Sequence, residues 1–127
     1  MPSGPWQLAD PTRGVVVASR VGAAASFWGR FRGLMGRSPL SPGEGLYLAT
    51  ASIHMLFMRF PIDALFLARP DGDGLSTVVA LRHDLPPWRG LVLPVPRAAG
   101  VVELPAGTLK AAGIAKGDRL RLRPVEH

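Results

Sequence analysis

Residues 62–83, IDALFLARPDGDGLSTVVALRH, decide the fold class. Two apolar, β-prone runs flank the segment Pro70-Asp71-Gly72-Asp73-Gly74. Proline presets a turn angle, glycine supplies positive φ, and aspartate side chains bond to nearby backbone N–H groups, so this segment reverses the chain. The stretch predicts a β-hairpin.

Working outward, residues 14–21 (GVVVASRV) are β-branched and read as a first strand, and 46–49 and 53–60 as strands ahead of the hairpin. Residues 85–97 form a proline-rich loop carrying Trp88. Residues 100–104 (GVVEL) and 118–123 (DRLRLR) read as late strands, separated by the glycine-punctuated 105–117 with one helical turn. Between 23 and 35, Phe27, Phe31, Leu34 and Met35 fall at helical spacing and Gly36 stands at the stop. Gly33 weakens that helix by about 1 kcal/mol relative to alanine. Seven short strands without βαβ alternation predict a mainly β (α+β) fold: a small antiparallel barrel or curled sheet with one or two short helices. Residues 1–13, rich in proline and glycine, read as a flexible tail, and 14–127 as one domain.

At 127 residues, with 47% hydrophobic and 19% charged, the chain is long enough to bury a core without staples. It has no cysteine, which excludes disulfide frameworks, thiol catalysis and cysteine-ligated metal clusters. Of its fifteen basic residues only Lys110 and Lys116 are lysine, and the net charge is +6. Guanidinium suits bidentate recognition of phosphate and carboxylate, although arginine, alanine, glycine and proline together also follow from genomic base composition. No targeting leader and no apolar run of the ~20 residues that span a bilayer is found, so a cytoplasmic protein is expected. Phosphate loops of the GxxxxGK type, GxSxG elbows and paired-carboxylate patterns are absent, which disfavours the familiar nucleotide-binding and hydrolase classes.

The stretch 27–63, FWGRFRGLMGRSPLSPGEGLYLATASIHMLFMRFPID, combines an arginine-glycine segment, an apolar strand with a lone histidine, and a proline followed by an acid. RFRGLMGR (30–37) and SIHMLFMRFPIDALFL (52–67), followed in order by VVELPAG (101–107) and GIAKGDRL (113–120), resemble the domain-of-unknown-function family 192. The resemblance implies a compact, mostly β domain with no established substrate or reaction. Many members of that family look exported or lipid-anchored, and this chain shows no such leader. Its GIAKGDRL also looks like the glycine-aspartate turn of cradle-loop barrels, an analogy of fold alone.

Six residues stand out as candidate ligand-binding groups: Arg30, Arg37, His54, Met58, Asp63 and Glu103. His54 has the chemistry of an acid, base or ligand, set against the commoner role of a core histidine bonded to backbone. For Asp63 the structural alternative, accepting backbone N–H bonds or pairing with Arg30 or Arg37, ranks ahead of catalysis. A turn at Phe60-Pro61 would set Met58 opposite Asp63 and His54 about 13 Å further along, too far for a direct dyad. Alternation turns Glu103 away from Val102 and Leu104, either into a salt bridge with an arginine or toward the cavity of His54. His54, Asp63 and Glu103 have no metal-ligand spacing, and neither a metal nor a cofactor is expected. Arg30, Arg32 and Arg37, interleaved with Phe27, Trp28 and Phe31, suit an anion or a stacked base or sugar, and equally a solvated helix face.

Two readings compete. One is a small ligand-binding or accessory module that holds an anionic or sugar-like molecule at a barrel end. The other is an enzyme using His54 as acid or base with Asp63 or Glu103 orienting it. Nucleic-acid binding is placed last, because acids interrupt the basic residues along most of the chain.

Overall fold

The computed structural model describes residues 5–23, 40–54, 60–87 and 90–125. The elements are β1 (Trp6–Asp10), β2 (Val15–Ala23), β3 (Glu44–Leu48), β4 (Ile53–His54), β5 (Ile62–Leu67), β6 (Ser76–Leu85), β7 (Leu91–Val92), β8 (Gly100–Pro105), a short helix α1 (Thr108–Ala112) and β9 (Arg119–Pro124). Seven strands hydrogen-bond in the order β1-β2-β3-β8-β5-β6-β9, and β9 returns to β1, so the sheet closes on itself. Neighbours are antiparallel except β2 and β3, which run parallel. Strands β4 and β7 form a separate two-stranded sheet.

The hairpin expected at 62–83 is present as β5 and β6. At its turn Asp71 Oδ1 accepts from the N–H groups of Asp73 and Leu75, the role an aspartate plays in such turns. One half of the core fills the barrel. Leu8, Val21, Leu65, Leu67, Val78, Val102, Leu104 and Leu120 are buried there, with Leu109 added by α1. The other half lies outside the barrel wall, where Ile62, Ala64 and Phe66 of β5, Val101 of β8 and Ala80 and Leu85 of β6 pack with Val92 of β7. Strand β5 is therefore buried on both faces, which is why it is a continuous apolar run interrupted only by Asp63.

Two expectations are corrected. The segment read as a tail contains β1, whose Trp6, Leu8 and Ala9 are buried and which pairs with both β2 and β9. Long-range pairing overrides the flanking prolines, which sit just outside the strand. Strand β4 does not turn back onto β5; its partner is β7, and β5 lies between β6 and β8. The expected helix at 23–35 falls almost wholly outside the described residues.

Close packing also fixes one glycine. A Cβ on Gly100 would fall 2.3 Å from the Tyr47 hydroxyl oxygen, so the tyrosine ring lies where any larger residue would project. The same ring meets Trp6 edge-on, with centroids 6.0 Å apart at 74°.

Candidate functional site

Asp63 and Glu103 sit on adjacent strands but on opposite faces of the wall. The register pairs Asp63 with Leu104, which faces the barrel interior, and Ala64 with Glu103. They do not share a site.

Asp63 is fully buried. Its Oδ1 accepts from the Asp84 N–H at 2.9 Å, and its Oδ2 accepts from the N–H groups of Gly107 at 3.1 Å and Leu109 at 3.0 Å. Helix α1 begins at Gly107, which has no side chain to cap it, so the carboxylate of a neighbouring strand supplies the missing acceptor. On the other side the carboxylate holds β6 at a bulge. Between Ala64 and Ile62 the partner moves from Arg82 to Leu85, three residues against two, and Asp84 takes φ 52 there. Both oxygens thus accept from backbone N–H groups, the structural role set beside catalysis for this residue.

Glu103 is the opposite case. Val102 and Leu104 face inward, so Glu103 faces the outer apolar layer, flanked by Leu46 of β3 and Ala64 of β5 in register. It is 4% exposed, and its Oε2 has no hydrogen-bond partner among the described residues. The salt bridge expected for it is not formed among those residues. Burial without a compensating charge disfavours the carboxylate, and it pushes the Glu103 carboxyl from 4.5 up to about 7. At neutral pH such a group is present both as an acid, which donates and accepts, and as an anion. Rows above and below it are apolar: Ile62 with Leu85, and Val101 with Phe66 and Ala80.

The backbone of His54 lies in β4, opposite Leu91 of β7. Because the neighbouring Val92 joins the outer apolar layer, the small sheet lies on the side of the wall that Glu103 faces. Arg30, Arg37 and Met58 lie outside the described residues. No group of three or more His, Asp or Glu suited to a metal ion occurs among the described residues. Two open clefts are lined by other groups, one by Gln7, Arg123 and Val125, the other between β2 and α1 by Val15, Val17, Pro42, Thr108 and Ala112. Neither includes any of the six candidate residues.

The alternating arginines of β9 are engaged locally. Arg119 pairs with Asp71, Arg121 donates to the Asp73 carbonyl at 3.0 Å, and Arg123 donates to Gln7 Oε1. These contacts occupy the arginine-bearing side of the strand.

Comparison with known proteins agrees with the motif order. Residues 9–122 match the DUF192 family, described as an uncharacterized ACR. A UPF0127 protein of Pyrococcus furiosus is 38% identical over 119 residues, covering 89% of this chain and 95% of that one. Another from Thermococcus sibiricus is 35% identical over 122 residues, covering 89% and 72%. Among solved structures, a candidate transcription regulator from Sinorhizobium meliloti superposes with a TM-score of 0.67 at 27% identity, over 92% of this chain and 91% of that one. A protein of unknown function from Novosphingobium aromaticivorans gives 0.63 at 21% identity over 92% and 83%, a likeness of fold.

Proposed function

The chain belongs to the uncharacterized DUF192 family, and from its own geometry we propose that it is a small ligand-binding module with Glu103 as the polar floor of its site. The observation that carries this reading is the carboxyl itself: it is buried in an apolar layer, and one of its oxygens is unpartnered among the described residues. An unpaired buried polar group costs on the order of 1–3 kcal/mol. A ligand that hydrogen-bonds to Glu103 would recover that cost, and the separate β4–β7 sheet lies on the same side to cover it. Arg30, Arg37, His54 and Met58 remain candidates for the rest of the lining.

The enzyme reading draws on the same group. A carboxyl near pKa 7 has the value a general acid or base needs at neutral pH, so Glu103 serves that reading better than a His54–Asp63 pair. The description of the Sinorhizobium protein suggests nucleic-acid binding; what supports the small-ligand reading over it is that the β9 arginines are engaged within the chain.

A thermal-shift screen against sugars, sugar phosphates, carboxylates and nucleotides tests the proposal, run on the wild type and on Glu103→Gln. A binder raises the melting temperature in a concentration-dependent way by mass action, and the shift is expected to vanish in the variant. Shifts of equal size in both proteins, or none in either, would overturn it.

A further inference from the structure

Beside the first half of β2 the barrel wall is one strand short. Strand β3 joins β2 to β8 only from Glu44 onward, with Arg20 opposite Glu44 and Glu103 opposite Leu46. Before Glu44 the chain turns off: the Glu44 N–H donates to the Ser41 carbonyl at 3.0 Å, and Gly43 takes φ 84. Residues 15–19 of β2 therefore have β1 along one edge, and along the other no strand partner among the described residues. Where β3 is present it sets β2 and β8 two strand spacings apart, about 10 Å, so the gap beyond its start takes one chain and no more.

The end of β8 and helix α1 stand across this gap. The open cleft between, about 510 Å³, is lined by Val15 and Val17 of β2 and by Pro42, Ala106, Thr108 and Ala111, and no charged side chain lines it. Polar groups on the far walls are already engaged. Thr108 Oγ1 donates to the Pro105 carbonyl at 2.7 Å, the Gly107 N–H donates to Asp63, and the Gly107 carbonyl accepts from the Ala111 N–H at 3.0 Å. At the mouth, the Gly43 carbonyl accepts from the Arg20 N–H at 3.0 Å and the Ser19 hydroxyl at 3.3 Å. What the cleft offers a ligand is the outer edge of β2, a row of backbone N–H and C=O groups.

We propose that this gap is a peptide-binding site, in which an extended segment of a partner protein adds as the missing strand beside residues 15–19. Main-chain hydrogen bonds to β2 hold the segment, and its alternate side chains set the specificity. Five residues of strand span about 16 Å, which fixes the length of the bound segment. Its inward side chains meet the buried Val17 and Leu109, and the alanines of the far wall leave room there for small apolar groups. Its outward side chains lie beside Val16, an apolar residue 49% exposed. A second copy of this chain does not fit, because its own β2 carries β1 along one edge and faces α1 across the other. A small polar molecule finds no unengaged side-chain donor or acceptor on these walls. Glu103 does not line the cleft, so the site is independent of the one proposed there.

The test is an NMR titration of the isotope-labelled protein with blocked hexapeptides that alternate threonine with alanine, valine or phenylalanine. Alanine or valine peptides are expected to shift the amides of residues 15–19 and 106–112, and to bind tenfold or more tighter than the phenylalanine peptide. Methylating the peptide nitrogens at one alternate set of residues is expected to weaken binding tenfold or more relative to the other set, since only one set faces β2. Ala111→Phe, at an exposed position of α1, fills the cleft and is expected to weaken binding at least tenfold, with its unfolding transition showing that it is folded. No binding, equal effects of the two methylation patterns, or binding that survives Ala111→Phe would overturn the proposal. So would shifts of the 15–19 amides with protein concentration alone, accompanied by a dimer in sedimentation, since the edge would then belong to a second copy.

Discussion

At Glu103 the folded chain holds a proton that the unfolded chain releases. The carboxyl titrates near 4.5 when unfolded and about 7 when folded, so between those values the native state binds more protons than the unfolded one. Stability is therefore greatest below pH 4.5 with respect to this group, falls as the pH rises from 4.5 to 7, and is flat above. At 1.36 kcal/mol per pH unit the loss is on the order of 3 kcal/mol. Glu103→Gln is expected to remove that slope and to raise the melting temperature at pH 8, as measured by calorimetry across pH 4 to 8. Of the charged groups on the neighbouring strands, Arg82 lies on the same face and Asp63 on the opposite one, and burial alone is what raises the value. Asp63 behaves differently. Asp63→Asn sets an amide N–H₂ against N–H donors of Asp84, or of Gly107 and Leu109, and is expected to cost about 3 kcal/mol in chemical denaturation. Its backbone-accepting role was legible in sequence as the structural alternative to catalysis. That it ties a helix start to a strand bulge was not, because Gly107 and Asp84 lie 44 and 21 positions further along the chain.

Single elements were legible where the local pattern is strong. The β5–β6 hairpin follows from Pro70 to Gly74, and α1 from the glycines at 107 and 113 that bracket it, both at positive φ. Strand β1 was not legible, since five residues between prolines carry too short a pattern to separate a strand from a tail. Strand β4 misled for another reason: it is apolar like β5 and next to it in sequence, yet it pairs with β7 in a segment that reads as loop. Packing between elements gives a sharp prediction at Gly100. Gly100→Ala drives a methyl into the Tyr47 ring and is expected to cost about 1–3 kcal/mol. Tyr47→Leu removes the clashing atoms, so the double variant should lose less than the sum of the two, a non-additivity that a double-mutant cycle reads directly.

For the whole molecule the decisive event is closure. Strand β1 bridges β2 and β9, and beyond β9 the Val125 N–H donates to the Pro5 carbonyl at 3.2 Å. Without residues 5–10 the ring would open between β2 and β9, leaving two unpaired edges and exposing the interior. Such a deletion is expected to abolish the cooperative unfolding transition and to promote aggregation, as seen by calorimetry and light scattering. The order of strands around the ring, and hence the placement of Glu103 between Leu46 and Ala64, comes from pairings between distant segments. Local pattern does not carry these. The proposed site rests on Glu103, and the most direct measurement is a carbon-detected NMR titration of its side-chain carboxyl, alone and with the sugars, sugar phosphates, carboxylates and nucleotides of the thermal-shift screen. A midpoint near pH 7 that moves when a ligand binds is the predicted result. A midpoint in the ordinary glutamate range, unmoved by any of them, would contradict the account.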